Sequence, residues 1–410
     1  MLMTYYVDKV YDCKHFTRIS VSWTMSSDVL LRDNDQLPNE ALKPYVASTD
    51  TIKELLKDQY GLTLTDIRPL NGYDDLNLHV KVSPAHCNPH LDQVSDNGYF
   101  LKVINFRDSQ RPDYLDAQLH VMEHLLKKGV HCQATIMAIN GDTFTKLTVQ
   151  NKNGEDVSHL VSLRTFISGE ILQNISLTPR FLYRLGQYVA ELTSALEDFS
   201  HSFYETFDCT WSLNTVVKLT DIMYVVKDVN LRNVCEGVVQ AFKDEVIPHR
   251  SGFRKSQIHG DLNEQNILVL QPLNKSGLSP LEADDAQVCG LLDFQDTALS
   301  YPLYDLAILV CYMLMTFSKV PLLDIPGYIL AGYQSKLKLT ESERLAFRTC
   351  VAARMVQSLV MGAYTHHMDP SNHYVLTTSK HGWQALETFW SADRIASETR
   401  WEQLVQSFKP

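Results

Sequence analysis

The chain has 410 residues, of which 45% are hydrophobic and 21% charged, so it can bury a sizeable core in one large domain or two modest ones. Its 37 basic and 48 acidic side chains give a formal net charge of −11, which disfavours a nucleic-acid partner and favours cationic small molecules. The eight cysteines are scattered with no Cys-x-x-Cys pair, which argues against a zinc ribbon or a disulfide framework and fits a reducing compartment.

Residues 1–45 show no sustained hydrophobic period and are expected to form a poorly ordered N-terminal extension, with Met25 as an alternative start. The first 24 residues carry Asp8, Lys9, Asp12, Lys14 and Arg18 and lack the apolar core of a signal peptide. The most apolar run, residues 306–317, is too short to span a bilayer. The expectation is a soluble, cytoplasmic protein without a membrane partner.

Thr51-x-x-Glu54 reads as a capping box opening a helix that buries Ile52, Leu55 and Leu56 and stops at Gly61. Residues 70–78 read as a turn flanked by strands. With one glycine, that turn is either a phosphate-covering loop or an ordinary hairpin. A strand over residues 99–104 places Lys102 among apolar neighbours. A lysine there needs an anion, such as a nucleotide phosphate, or an edge position from which its stem reaches water. Residues 113–128 form an amphipathic helix through Leu115, Leu119, Met122 and Leu126, and strands follow at 134–139, 144–149 and 160–166.

Beyond Ser168-Gly169 the pattern becomes helical. Thr178 caps a helix that starts at Pro179, and further helices are expected at 231–246 and 303–317. A second capping box, Thr340-x-x-Glu343, opens a long helix through Met361, and the last helix carries Trp383, Leu386 and Phe389. The chain therefore reads as an α+β protein of two lobes, a β-rich one over 46–166 and a mostly helical one over 167–410, with a cleft between them suited to a small molecule.

The densest chemistry lies in the second lobe. His259-Gly260-Asp261-Leu262-Asn263-Glu264-Gln265-Asn266 precedes the apolar run 267–270, and a second apolar run, 288–292, delivers Asp293-Phe294. If the two runs pair as an antiparallel hairpin, Asn266 and Asp293 meet at its open end and Asp261 lies on the loop feeding that end. An amide oxygen and a carboxylate suit Mg²⁺, which takes only one or two protein ligands beside phosphate and water. Asp261 is then free to accept a proton from a substrate hydroxyl, so the group suits phosphoryl transfer.

With Lys102, HGDLNEQN and LLDFQD in that order, the chain resembles the aminoglycoside phosphotransferase-like kinases over roughly residues 50–400. The resemblance implies a protein-kinase-like two-lobed fold. Residues 72–80, 258–268, 290–296, 357–361 and 380–383 are most similar to the branch that phosphorylates 5-hydroxy-L-lysine with GTP as donor. It further implies Asp261 as catalytic base, Asn266 and Asp293 as Mg²⁺ ligands, and Lys102 on the α/β phosphates. Gly72, Tyr73 and Asn77 would lie in the stretch covering the nucleotide, and residues 164–169 would form the hinge. Kinases of this type pair the strand lysine with a glutamate on the first long helix. Here Gln118 stands at the expected position, able to hydrogen-bond Lys102 but not to neutralise it, with Asp116 and Glu123 as other candidates. ATP as donor, acceptors such as homoserine, choline or an aminoglycoside, and a nucleotide-binding pseudokinase are the alternatives.

Overall fold

The computed structural model describes residues 43–46, 48–72, 74–151, 154–270, 286–316, 318–368, 370 and 379–410. Nearly all of the expected extension lies outside the described residues, as do Tyr73 and most of the connection between the two central apolar runs.

The first helix, α1 (Thr49–Tyr60), begins two residues before the expected capping box. Ser48 is its cap, in extended conformation, with its hydroxyl accepting from the Asp50 N–H at 3.1 Å. The first turn thus draws Thr51 and Glu54 inside the helix. Gly61 ends it in the left-handed conformation expected of a helix stop, φ 64°.

Strands β1 (Leu64–Leu70), β2 (Leu76–Val82), β3 (Tyr99–Val103), β4 (Thr135–Ile136), β5 (Thr145–Gln150) and β6 (Asp156–Thr165) make an antiparallel sheet. Its order is β1-β2-β3-β6-β4, with β5 also on β6. The strand expected over 134–139 shrinks to the two residues of β4. Because β3 is central, Lys102 has no edge to escape along: it faces Asn77 on one side and Ser162 on the other, and it is buried. The inner face of the sheet and α1 form one apolar core. Helix α2 (Pro112–Lys127) turns Leu115, Leu119, Met122 and Leu125 into a different and larger core, that of the helical lobe.

The chain leaves β6 into a short strand, β7 (Glu170–Ile171), and then α3 (Pro179–Leu196), whose cap Thr178 accepts from the Phe181 N–H at 3.2 Å. A short turn of helix, α4 (Phe203–Thr206), and a 3₁₀ stretch, Leu213–Asp221, precede α5 (Val229–Ala241), which continues as one π-helical turn to Val246. Strand β8 (Ser256–Ile258) then leads into the His-Gly-Asp loop. Strands β9 (Ile267–Leu270) and β10 (Gln287–Leu291) pair antiparallel as expected, and β7 adds to the outer side of β9. β11 (Ala298–Ser300) pairs with β8, a ladder too short to show in the hydrophobic pattern.

Helix α6 (Pro302–Met315) is buried all round, which explains its nearly unbroken apolar sequence. Helix α7 (Ile325–Lys336) crosses α3 at glycines. A Cβ on Gly186 would lie 2.0 Å from the Ile329 carbonyl oxygen, and one on Gly332 would lie 1.8 Å from that of Tyr183. The two backbones therefore touch. The box at Thr340 is reciprocal: its hydroxyl accepts from the Glu343 N–H at 3.2 Å, and the Glu343 carboxylate accepts from the Thr340 N–H at 2.9 Å. It opens α8 (Glu341–Met368). The expected final helix is α9 (Ser379–Ser391), but one more follows, α10 (Arg394–Ser407), whose Trp401 indole N–H donates to the Leu323 carbonyl at 2.7 Å. No helix among the described residues is long and apolar enough to cross a membrane.

Candidate active site

The His-Gly-Asp loop is held from below by Asp305, in the first turn of α6. Its two carboxylate oxygens accept from the backbone N–H groups of His259 and Gly260, each at 2.8 Å. Gly260 has φ 86°, and a Cβ there would come within 2.1 Å of the Asp296 carbonyl oxygen, so both conformation and space require glycine. His259 Nε2 donates to the Leu292 carbonyl at 3.0 Å while Nδ1 accepts from the Asp261 N–H at 3.3 Å. Only a neutral ring makes both bonds, and burial pushes its pKa down to about 4. His259 and Asp305 thus brace the loop.

Asp261 sits at the top of this brace. One oxygen, Oδ1, accepts from Arg354 Nη2 at 2.7 Å; the other accepts from the side-chain amides of Asn263 at 2.7 Å and Asn266 at 2.9 Å. Burial raises its pKa to about 6, with Arg354 acting against the rise and Asp293 adding to it. Arg354 comes from α8 and is buried, fixed by the Trp211 carbonyl at 3.0 Å, Gln357 Oε1 at 3.1 Å and the Tyr312 hydroxyl at 3.3 Å.

Asn266 and Asp293 occur where the hairpin brings them. Ile267 pairs with Leu291, and the Leu292 N–H donates to the Asn266 carbonyl at 2.8 Å, so Asp293 is the next residue out. Asp293 holds φ 56°, a conformation that costs a non-glycine residue about 1 kcal/mol and that aspartate tolerates better than most. The Asn266 amide nitrogen is spent on Asp261, which leaves its oxygen as the free end. The Asp293 side chain is 42% exposed. Its contacts are long ones, 3.4 Å from the Gln295 N–H and 3.8 Å from Lys102. One amide oxygen and one open carboxylate are a donor set that fits a hard divalent cation such as Mg²⁺.

Lys102 is buried, and burial alone would disfavour its charge; Asp293 and Asp75 outweigh that effect and keep it protonated. The carboxylate in contact with it is Asp75, at 2.9 Å, from the turn between β1 and β2. This corrects the expectation that α2 supplies the partner. Gln118 is buried on α2 without a hydrogen bond to Lys102, Asp116 faces His120 at 3.3 Å and His201 at 3.8 Å, and Glu123 pairs with Lys127 at 2.6 Å. The apolar face of α2 points into the helical core, which carries its acidic side chains away from the sheet.

Residues 70–78 form the expected hairpin. Asn77 is the cross-strand partner of Lys102, so both side chains leave the same face of the sheet. Its amide nitrogen closes the turn on the Asn71 carbonyl at 2.9 Å, and its oxygen is buried without a partner among the described residues. A Cβ on Gly72 would lie 2.7 Å from that amide nitrogen. Tyr73 lies outside the described residues.

Beside Gly260 is a small pocket lined by Cys209, Trp211, Asp296, Ser300 and Tyr304, among others. Asp296 accepts from Cys209 Sγ at 3.2 Å, and burial together with nearby Asp261 raises its pKa to about 7.

The structure brings together a lysine of a central strand, a braced aspartate and an asparagine–aspartate pair at a hairpin mouth. The chain matches the phosphotransferase enzyme family over residues 90–333 and belongs to it. It is 32% identical over 385 residues to hydroxylysine kinase of Bos taurus, an alignment covering 92% of this chain and 99% of that one. Among solved structures it resembles amicoumacin kinase in complex with AMP-PNP, Ca²⁺ and Ami, with a TM-score of 0.55 and 12% identity over 84% of this chain and 93% of that one. It also resembles the GDP complex of aminoglycoside 2'-phosphotransferase-IIIa, with a TM-score of 0.53 and 16% identity over 84% of this chain and 99% of that one. The fold is the kinase-like one, a sheet lobe and a helical lobe, and the protein is a small-molecule kinase that acts on an alcohol group, similar to the hydroxylysine kinases.

Proposed function

We propose that the protein transfers the γ-phosphoryl group of GTP to the side-chain hydroxyl of 5-hydroxy-L-lysine, in the cytoplasm. The observation that carries the chemistry is the linked set Asp261–Asn266–Asp293–Lys102, joined by direct contacts of 2.9 to 3.8 Å or by adjacency on one hairpin. The acceptor rests on similarity to hydroxylysine kinases at 30–32% identity, and GTP is the donor that the sequence resemblance implies. Seven described cysteines are free, which suits a reducing compartment.

In this reading Asp261 orients the acceptor hydroxyl and takes its proton as the new O–P bond forms and the bond to the β-phosphate breaks, with GDP leaving. Its oxygens have lone pairs to spare beyond the three bonds they accept. A carboxylate already held by Arg354, Asn263 and Asn266 needs no reorganisation before it acts. Lys102 meets the α/β phosphates, and the hairpin with Gly72, Tyr73 and Asn77 covers them. Mg²⁺ held by Asn266 and Asp293 would neutralise charge on the transferred group. In this reading Asp296, in its pocket beside Gly260, meets an acceptor ammonium; Trp211 on the same wall has its ring under the Arg354 guanidinium, 5.3 Å from the ring centroid. The Asp296 carboxylate favours a hydroxy-amine over a neutral sugar. Residues 46–166 then serve the nucleotide and residues 167–410 the acceptor and metal.

The test is an acceptor panel of 5-hydroxylysine, homoserine, choline and an aminoglycoside, each with GTP and with ATP. Nucleoside diphosphate release with 5-hydroxylysine is the expected result, and release with another acceptor alone overturns the assignment. Asp261→Ala is expected to lower turnover by about two to four orders of magnitude while nucleotide still binds. Near-normal turnover in that variant removes Asp261 from its role.

A further inference from the structure

The buried acid beside Lys102 belongs to the hairpin that covers the nucleotide, and its four bonds reach three separate pieces of the site. Asp75 Oδ2 meets Lys102 Nζ at 2.9 Å and accepts from Gln295 Nε2 at 3.0 Å. Oδ1 accepts from the Asn105 N–H at 2.7 Å and from its side-chain amide at 3.1 Å. Asp75 and Asn105 are 3% and 0% exposed, so this is fixed interior structure. Lys102 belongs to β3, Asn105 to the segment that follows β3, and Gln295 to the loop two residues past Asp293. The Asp293 carboxylate is the other anion near the lysine, 3.8 Å away.

Resting on the kinase reading above, we propose that Asp75 is the positioning residue that fixes Lys102 for the donor phosphates, with Gln295 bonded to the same carboxylate oxygen. Helix α2 is thereby released from the task. The hairpin cannot lift from the nucleotide without taking the lysine's counterion with it, so covering the phosphates and aiming the lysine become one event. A second consequence concerns the metal. With Asp75 neutral, Asp293 is the nearest anion left to Lys102. The ammonium then competes with the divalent ion for that carboxylate, and the ion is held less tightly.

The experiment compares wild type, Asp75→Asn, Asp75→Glu, Lys102→Met and the Asp75→Asn/Lys102→Met double variant, all checked for folding by thermal melting. Asp75→Asn is expected to lose about 10- to 100-fold in kcat/KM for the nucleotide, the scale of one charge-assisted bond, with the acceptor KM within about twofold of wild type. Mn²⁺ binding in the presence of a non-hydrolysable GTP analogue, read by electron paramagnetic resonance, is expected to weaken in Asp75→Asn and to recover in part in Asp75→Glu. In the Lys102→Met background, adding Asp75→Asn is expected to change neither readout further, because the residue it acts through is gone. Should Asp75→Asn fail to fold, the double variant, which removes both members of the ion pair, still decides by comparison with Lys102→Met.

Independent losses from the two substitutions overturn the proposal. So does Mn²⁺ binding unchanged in Asp75→Asn, or a loss in Gln118→Ala or Glu123→Gln equal to that in Asp75→Asn. A wild-type protein inactive with every acceptor and donor instead overturns the kinase reading itself.

Discussion

Replacing Arg354 by methionine removes the cation from the base while keeping most of the side chain's volume. Arg354 Nη2 lies 2.7 Å from Asp261 Oδ1, with the arginine side chain 1% exposed and the aspartate 19%. A neighbouring arginine lowers a carboxyl pKa by roughly one to three units, so its removal raises Asp261 by about that much from its present value of about 6. At pH 7 the ionised fraction then falls from about nine-tenths to between roughly a half and a hundredth, a loss of about 2- to 100-fold in a reaction that needs the carboxylate as base. The assay is kcat/KM for the acceptor across pH 5.5–9.5. The acid limb is expected to move upward relative to the wild type, with activity returning as pH rises. The variant also loses stability, by about 3–5 kcal/mol if the aspartate stays charged, so it is assayed well below its melting temperature. An acid limb unmoved in a folded variant, or a loss that no pH restores, refutes the electrostatic account and leaves Arg354 as packing alone.

Burial raises the carboxyl groups of Asp74, Glu264 and Asp296 to about 7, and those of Asp261 and Asp305 to about 6. A carboxyl raised in the folded state adds stability when protonated and loses it as pH rises through the folded pKa. His259, lowered to about 4, acts the other way, but mostly below pH 6.5. The apo protein is therefore expected to melt at a higher temperature at pH 6 than at pH 8; the reverse order contradicts these shifts. Gly332→Ala, which sets a Cβ 1.8 Å from the Tyr183 carbonyl oxygen, is expected to cost about 3 kcal/mol in urea unfolding. Gly237→Ala in α5, where the nearest atom is 3.8 Å away, is expected to add about 0.4–1 kcal/mol. Equal effects of the two would show that contact between α3 and α7 is not what Gly332 serves.

Much of this site could be read along the chain because its parts are close in sequence. Asp261, Asn266 and Asp293 are set by one loop and one hairpin, whose two apolar runs pair Ile267 with Leu291. The box at Thr340 was legible for the same reason, since its two bonds span three residues. Contacts between distant segments were not legible. Asp75 is 27 positions before Lys102, and the choice between it and an acid on α2 depends on which core the helix turns toward. Arg354 is 93 positions from Asp261, too far along the chain for spacing to pair them. At α1, Ser48 captured the cap because its extended backbone aims the hydroxyl at Asp50, and the box Thr51-x-x-Glu54 lies three residues, nearly one turn, further on. Helix α10 lacks a clean apolar stripe; Ser397, Trp401 and Leu404 are its buried positions, and two of these three residue types do not advertise burial.

Strand β7, next in the chain after β6, pairs with β9 through Glu170–Val269 and Ile171–Leu268. The linker is therefore welded to the strand that carries Asn266 before the chain has travelled six residues from Thr165. At this crossing only residues 166–169 are left to bend, while α2 and the His131 carbonyl, which accepts from the Leu291 N–H at 3.0 Å, stay with the body that holds the base, the amide, the aspartate and the arginine behind them. Opening to release product would then carry Lys102 and Asp75 away together and break the Asp75–Gln295 bond to the floor.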